Sequence, residues 1–442
     1  FRGKMSIIGP RPALWNQDDL VAERDKYGAN DILPGLTGWA QINGRDELEI
    51  ADKAKLDGEY TEKLKQGGVR ALLFDGKCFF GTIFSVIGSD GVVEGGTGEL
   101  HRAGKLSGAA PGKGKTENGP DAVSTEEAGF EDYGYLKHFE IDTSERNKKR
   151  VLITGAGSYV GESFECWAKA HYGANFTIDT VDMQDPGWRE KNFSSYDAVF
   201  HVAGIAHADV GKVSEEEKRK YYAVNTDLAI ETAKKAKAEG VKQFVFMSSM
   251  IVYGDSAPYG KEKVIDEKTV PQPSNFYGDS KWQADKGVRK LADEDFRVAV
   301  LRPPMIYGKG SKGNYPVLAK LAKKLPVFPD VENRRSMLYI DNLCEFLCKL
   351  MLSGEGGVYF PQNGEYVGTS HMVRMIGVFN NHKIIVSKTF NWVVGLASRI
   401  PGKIGGLTNK AFGNLSYNRV ISLYEFDYQK VDLKESIRRI ES

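Results

Sequence analysis

The sequence has little of what would place it across a membrane, around a metal ion or in a disulfide framework. No apolar run approaches the roughly 18–20 residues that a spanning helix needs, and the residues from Phe1 onward show no signal-peptide pattern. There are four cysteines, Cys78, Cys166, Cys344 and Cys348. Only the last two are close, and their i,i+4 spacing suits the apolar face of a helix. Thiols used this way are expected to be reduced and buried, as in a cytoplasmic protein. The seven histidines form no ligand-spaced group with them, so no metal site is expected. Neither charge is in excess: 60 Lys and Arg against 59 Asp and Glu leave +1, which gives no global pull toward nucleic acid. A chain that opens on Phe rather than Met is expected to be a piece of a longer one.

What is present is the composition of a globular protein, 41% apolar and 27% charged over 442 residues, enough for two or three domains. Residues 1–95 are punctuated by proline and glycine. Gly9-Pro10-Arg11-Pro12 must be extended or turned, because each proline biases its predecessor away from helix. Pro34 to Asp46 packs glycines, Trp39 and Arg45 into a segment suited to closing on an anion. Arg11 and Arg45 are candidate phosphate donors there; the alternative is a tight structural loop with Arg45 paired to Asp46. From 96 to 148 the composition shifts. Nine glycines fall between Gly91 and Gly119 with almost no large apolar residues, which predicts a flexible linker. Its last part, Glu126 to Glu145, is acidic and dotted with Phe130, Tyr133, Tyr135 and Phe139. Two readings are open for it: docking on a neighbouring domain, or disorder.

Residues 149–442 alternate apolar strands with helices of ten or more residues, which predicts an α/β fold with a parallel sheet covered on both faces. The first strand, Arg150 to Thr154, runs into Gly155-Ala156-Gly157-Ser158-Tyr159-Val160-Gly161. Glycines there let the backbone approach a pyrophosphate, which would sit on the N–H groups of Ser158, Tyr159, Val160 and Gly161 at the start of the next helix. Asp182, at the end of the second strand, is placed to accept hydrogen bonds from ribose hydroxyls and to repel a 2′-phosphate, favouring NAD over NADP. Later, Tyr277 and Lys281 are four apart, hence on one helix face. An ammonium beside a phenol favours the phenolate and is expected to lower its pKa toward neutrality. A serine delivered from the strand end at Ser248-Ser249 could hold the oxygen whose proton Tyr277 exchanges.

Two resemblances extend these readings. Met5 to Pro12 and Pro34 to Asp46 resemble the signature segments of the bacterial sugar transferases, which load a sugar phosphate onto a polyprenyl-phosphate carrier. That family carries a membrane re-entrant helix and an Asp-Glu catalytic pair before the Gly-Pro-Arg-Pro segment. Neither stands in the residues given, so this partial domain is expected to be inactive as presented. Residues 149 to 442 resemble the extended short-chain dehydrogenase/reductases, the NAD-dependent nucleotide-sugar epimerase/dehydratase family. The carriers are Thr154 to Gly161, Asp182, His201 to Gly204, Asn225, Ser248 to Gly254, Tyr277 to Lys281 and Leu301 to Pro303. Ser158 departs from the pattern, standing where the family has a glycine.

The resemblance implies a Rossmann-type doubly wound sheet with a smaller substrate-binding lobe. It implies NAD as cofactor, bound also by Ala203, Gly204, Asn225, Lys281 and Pro303. It implies catalysis by Ser249, Tyr277 and Lys281, with Ser249 preferred to Ser248 because the family's hydroxyl lies four residues before Tyr253. Met250 and Ile251 stand where dehydratase members have an Asp-Glu pair, leaving 4-epimerisation or reduction of a 4-keto sugar. Asn314, Arg334 and Arg335 are the expected contacts to a nucleotide sugar, with Arg335 on the diphosphate. A non-catalytic nucleotide-sugar scaffold is the other class of function considered. A homodimer, and an association with polyprenyl-phosphate machinery at the inner face of the plasma membrane, are the expected partners. Asn391 to Phe412 is apolar with scattered basic residues, read as a helix packing on the lobe in preference to one lying on a membrane.

Overall fold

A computed structural model of the chain describes residues 5–13, 17–43, 49–82 and 132–442, less 69, 72, 73, 79, 80, 145, 147 and 206–213. Its contacts fall into two units, Phe1–Phe130 and Glu131–Ser442.

In the first unit, strands β1 (Ser6–Ile8) and β2 (Gly35–Thr37) pair in parallel. They lie in the two proline- and glycine-rich segments, whose backbones meet at glycine. A Cβ on Gly35 would lie 2.2 Å from Gly9 N, and one on Gly38 2.3 Å from Gly9 O. No side chain fits at either place. Gly9 N donates to Thr37 O and Gly35 N to Pro10 O, both at 2.8 Å. Helices α1 (Asp18–Asp25) and α2 (Ile50–Lys65) are joined by a buried ion pair, Arg24 Nε to Asp57 Oδ2 at 2.7 Å. Arg24 Nη1 also donates to Arg11 O at 2.9 Å, so the pair holds the Gly-Pro-Arg-Pro backbone. Arg11 itself is exposed; Arg45 and Asp46 lie outside the described residues.

The second unit is built on a six-stranded parallel sheet. In chain order its elements are β3 (Lys149–Thr154), α3 (Tyr159–His171), β4 (Phe176–Val181), β5 (Ala198–His201), α4 (Glu215–Tyr222), α5 (Leu228–Ala238), β6 (Gln243–Met247), α6 (Phe276–Arg289) and β7 (Arg297–Leu301). These are followed by α7 (Asn314–Lys324), α8 (Ile340–Ser353) and β8 (Gly357–Tyr359). The strand order is β8-β7-β6-β5-β3-β4. β5 and β6 are buried along their whole length, as expected of strands covered by helices on both faces. Leu152, Val199, Phe244 and Val298 pack against Ala229, Ala233, Ala236, Ala284 and Val288, small residues that let α5 and α6 lie close to the sheet. The short edge strand β8 was not legible in the sequence. Because β4 and β5 flank β3 on opposite sides, the direction of winding reverses there, and the carboxyl ends of β3 and β5 open onto the crevice where such sheets bind ligands.

The smaller lobe follows from the return segments after β7. It includes paired short strands at Met305–Tyr307 and Met337–Tyr339, and at Val327–Pro329 and Ile385–Ser387. Helices α9 (Thr369–Phe379), α10 (Asn391–Ala397) and α11 (Lys403–Phe412) belong to it, and a last helix, Leu433–Glu441, packs on α9. The single helix expected over 391–412 is therefore two, interrupted at Pro401-Gly402, where Gly402 has φ +86°.

The tail of the expected linker docks. Val358 N donates to Asp132 O at 2.7 Å, Tyr133 OH to Glu267 O at 2.7 Å, and the Phe139 ring stands edge-on to Phe426 at 4.9 Å. A Cβ on Gly134 would lie 2.1 Å from the Tyr359 ring. Of the stretch read as open between docking and disorder, the part from Asp132 to Phe139 thus docks and covers the β8 edge, whereas Phe130 lies outside the described residues.

Candidate active site

The glycine turn after β3 closes at the winding reversal. Gly155 has φ +123° and a Cβ there would lie 2.8 Å from Ala203 N, so glycine lets the turn touch the end of β5. Gly157, at φ +73°, has open space on its Cβ side. Ser158 sits at φ −79° as the N-cap residue of α3, an ordinary conformation, so the missing glycine does not distort the turn. Its hydroxyl would be 2.6 Å from a Cβ on Gly161, which explains the glycine one turn on. The first-turn N–H groups of Tyr159, Val160 and Gly161 have no acceptor within the helix. The Ser158 Oγ and Tyr159 OH are buried without a hydrogen-bond partner. Asp182 is exposed just past β4, with Oδ1 accepting from Gln184 N at 2.9 Å. Donors without acceptors, an open glycine and an acid at the next strand end fit a dinucleotide.

The helix α6 begins at Asn275, whose side chain accepts from Gly278 N at 2.9 Å and sets the register of the two residues that matter. Tyr277 is part-buried and Lys281 is 7% exposed. Gly278 lets the helix press on the neighbouring turn: a Cβ there would be 3.0 Å from Ile251 O. That turn is a 3₁₀ segment, Met250–Tyr253, capped by Ser249, whose Oγ accepts from Ile251 N at 3.3 Å. Pro303 O accepts from Met250 N at 2.9 Å, tying the segment after β7 to the same turn. Ser249 and Tyr277 are thus carried on two elements in contact.

Lys281 reaches beneath them. Its Nζ donates to Met247 O at 3.2 Å and lies 5.3 Å from the Phe246 ring centroid. Burial lowers its pKa to about 8. A Cβ on Gly204 would be 2.9 Å from that Nζ and 3.0 Å from Asn225 Oδ1, so Gly204 is the gap that admits both. Asn225 sits in a π-helical turn, Ala223–Asp227, between α4 and α5, a distortion common at functional sites. Its Oδ1 accepts from Ile205 N at 2.8 Å and its Nδ2 donates to Ser280 Oγ at 3.1 Å. Thr226 Oγ1 donates to Ser280 O at 2.7 Å. The π turn therefore clamps α6 between Tyr277 and Lys281.

One expectation is corrected. Lys281 does not draw the tyrosine's pKa down in the protein alone: burial raises Tyr277 to about 12, and the nearby Tyr221 adds to the rise. The ammonium is turned to Met247 O and the Phe246 ring.

Sequence reasoning missed the group that holds the site from below. Asp285, one turn past Lys281, is fully buried and bound by Arg302, also fully buried, through Nε to Oδ2 at 2.9 Å and Nη2 to Oδ1 at 3.0 Å. Arg289 donates to Oδ1 at 2.8 Å and Ser248 Oγ to Oδ2 at 2.9 Å. Burial pushes the Asp285 pKa up, but Arg302, Arg289 and Ser248 outweigh it and the net shift is downward. Arg302 Nη1 donates to Tyr253 OH at 2.7 Å, joining the network to the Ser249 turn. The hydroxyl of Ser248 is thereby engaged by Asp285, whereas that of Ser249 accepts from Ile251 N at the start of the turn. The signal was available: Tyr277, Lys281, Asp285 and Val288 share one helix face, and an acid among buried positions needs a cation.

The substrate-side candidates are spread out. Asn314 starts α7 after Gly313, at φ +109°. Arg335 is engaged by the protein: Nη1 donates to Lys410 O at 2.7 Å, Gly413 O at 3.1 Å and Ser256 Oγ at 3.4 Å. Burial lowers its pKa to about 10. Arg334 is exposed, its guanidinium 5.1 Å from the Tyr366 ring centroid, and Arg419 lies 4.9 Å from the same ring.

These features agree with what the chain matches. Residues 147–360 match the model of the NAD dependent epimerase/dehydratase family and residues 1–89 that of the bacterial sugar transferases. The two stretches are thus similar to two different families. It is 29% identical over 250 residues to the UDP-glucose 4-epimerase of Vibrio cholerae, covering 52% of this chain and 75% of that protein. It is 30% identical over 213 residues to the N-acetyl-alpha-D-glucosaminyl-diphospho-ditrans,octacis-undecaprenol 4-epimerase of Escherichia coli O157:H7, covering 45% of this chain and 61% of the relative. In fold, the second unit is similar to a solved UDP-glucuronic acid 4-epimerase variant from Bacillus cereus bound to a UDP sugar and NAD, at a TM-score of 0.50 and 14% identity, covering 66% of this chain and 98% of that one. NAD is the cofactor of the family whose model residues 147–360 match, and no helix among the described residues is long and apolar enough to cross a membrane.

Proposed function

We propose that the second unit is a nucleotide-sugar 4-epimerase, most simply of a UDP sugar, working in the synthesis of a surface-glycan precursor. The observation that carries this is the placement of Tyr277 and Lys281 on α6 against the turn that presents Ser249. Ser249 holds the sugar oxygen, Tyr277 exchanges its proton, and Lys281 binds the nicotinamide ribose. Bound in its oxidised form, NAD supplies the hydride acceptor and a fixed positive charge. Tyr159 to Gly161 take the pyrophosphate on their N–H groups with the Ser158 hydroxyl beside them, Ala203, Gly204 and Asn225 form the opposite wall, and Asp182 takes the adenosine ribose. Met250 and Ile251 carry no transferable proton, which suits redox at one carbon over elimination. Asn314, Arg334 and Arg335 are the proposed substrate contacts; Arg335 also ties its loop to Lys410 O and Gly413 O through Nη1.

Reduction of a 4-keto sugar by the same residues is the rival chemistry. A lipid-linked sugar diphosphate is a second substrate reading, favoured by the E. coli relative's named substrate and by the sugar transferase domain in the same chain. On the UDP-sugar reading a transferase active in the same chain would take up the epimerase's product, and on the lipid-linked reading it would supply its substrate; either way the fusion would raise the local substrate concentration. The test incubates the purified chain with UDP-hexoses, UDP-N-acetylhexosamines, a 4-keto UDP sugar and a polyprenyl-diphosphate N-acetylhexosamine. Products are read by NMR and NADH by absorbance. Redox-neutral interconversion supports the epimerase; stoichiometric NADH consumption selects the reductase. Binding of nucleotide sugar without turnover would leave only a scaffold.

A further inference from the structure

The 59 positions from Tyr366 to Tyr424 hold no Asp or Glu and seven Lys or Arg. The chain as a whole has 59 acids in 442 residues, so a stretch of this length would ordinarily carry about eight. The absence is local, because the net charge of the whole chain is only +1. Within this stretch α10 shows two different faces. Val394 and Ala397 are buried, 0% and 4% exposed, while Trp392, Leu396 and Ile400 are 48%, 43% and 45% exposed. The three exposed residues recur at i, i+4 and i+8, and backbone hydrogen bonds from Arg399 N to Leu396 O and from Ile400 N to Ala397 O carry the turns past the helix end. Arg399 and Lys410 are exposed within the same stretch, as are Lys383 and Lys388; of these Lys388 is paired with Glu332 at 2.7 Å.

We propose that α10 and α11 form a docking surface for an anionic lipid bilayer. An exposed stripe of Trp, Leu and Ile has no role against a hydrated polyanion, which needs cations alone, but it suits the boundary between headgroups and acyl chains. Cations beside such a stripe, with no carboxylate in the segment to repel the surface, complete the complementarity. The surface is fixed to the candidate active site and does not hang free. Tyr259 N donates to Asn409 Oδ1 at 2.8 Å and Ala257 N to Asn414 O at 2.9 Å. Arg335 Nη1 reaches Lys410 O at 2.7 Å. Residues 255–261 leave directly from the turn that carries Ser249, so a bilayer on α10 and α11 would lie beside the loop leading out of the site. This inference does not depend on which sugar is turned over.

The test uses the full chain with sedimenting vesicles of equimolar phosphatidylglycerol and phosphatidylcholine, or of phosphatidylcholine alone. Binding is expected to the anionic vesicles only and to weaken with salt. The double variant Trp392→Ser/Leu396→Ser, and separately Arg399→Glu/Lys410→Glu, should each weaken it about tenfold or more. All four side chains are exposed, so the NAD affinity and circular dichroism of both variants should match the parent. Brominated acyl chains should quench a component of the tryptophan fluorescence that is missing in Trp392→Phe. Unchanged vesicle binding in both variants, an absent Trp392 quenching component, or binding to heparin without binding to vesicles would each overturn the proposal. Sugar turnover measured without vesicles is a separate readout, so loss of one result leaves the other standing.

Discussion

Replacing Arg302 by Met should unsettle the floor of the candidate site in a way that can be followed with pH. Arg302 and Asp285 are both fully buried, and the guanidinium grips both carboxylate oxygens. Removing one member of a buried pair costs about 3–5 kcal/mol, because the other charge is stranded. Arg289 still reaches Oδ1 and Ser248 still reaches Oδ2, so the lower end, about 3 kcal/mol, is expected. For a unit of this size that corresponds to a fall in Tm of about 4–5 °C. Calorimetry can follow it, with the second unit's transition identified by its rise on adding NAD.

The sign with pH follows from linkage. In the parent, the net lowered pKa of Asp285 contributes stability present above the unfolded carboxyl pKa and lost as pH falls through the folded one. In Arg302→Met, burial dominates and the carboxyl is raised, so its penalty is full at neutral pH and disappears on acidification. The Tm gap between parent and variant should therefore narrow from pH 7 toward pH 5. Adding Asp285→Leu to Arg302→Met should restore a large part of the lost stability. A gap below about 1 °C at pH 7, or one that widens on acidification, would refute the assignment of Asp285 as a buried, cation-held carboxylate.

Lys281→Met should stabilise the fold while abolishing turnover. The ammonium's pKa is lowered to about 8 by burial, and the shift from an ordinary lysine corresponds to about 3 kcal/mol of unfavourable charge burial at neutral pH. The stabilisation should fade as pH rises from 8 toward 10.5, since the parent lysine is then neutral when folded; thermal unfolding and an activity assay at matched pH check both halves. Asp182→Ser removes the carboxylate that would face a 2′-phosphate, so the ratio of NAD to NADP affinity should fall at least about tenfold, measured by titrating each cofactor. Gly204→Ala places a methyl where Lys281 Nζ and Asn225 Oδ1 converge. It should weaken NAD binding and slow turnover together, whereas an effect on stability alone would argue that Gly204 is only a packing residue.

The sheet was legible because its strands are short apolar runs closed by glycine or acid and separated by helix-length segments. Thr154 to Gly161 and Asp182 could be read for the same reason: backbone approach and ribose recognition require particular residues at particular spacings. Ser249 needed more than spacing, since Ser248 is its chemical equal in sequence. Only the structure shows Ser248 turned to Asp285. The π turn around Asn225 has no sequence signature, because its residues are ordinary helix residues and the distortion comes from packing on α6. Arg335 was read as a ligand group since a charged residue before an apolar helix is conspicuous. In the fold its guanidinium meets backbone carbonyls of a segment far along the chain, a contact that no local pattern reveals. The strand Gly357–Tyr359 was too short for a periodicity, and the residues Asp132 to Gly134 that cover its outer edge lie more than two hundred positions earlier.

Single-turnover absorbance tests the assignment of Tyr277, Lys281 and Ser249 most directly. The chain loaded with NAD is mixed with UDP-galactose and with UDP-N-acetylgalactosamine, and bound NADH is followed in time while the product sugar is identified by NMR. The expected result is a transient NADH signal that decays as the 4-epimer appears, and that is lost in Tyr277→Phe while NAD affinity is kept. Full epimerisation by Tyr277→Phe would contradict the assignment.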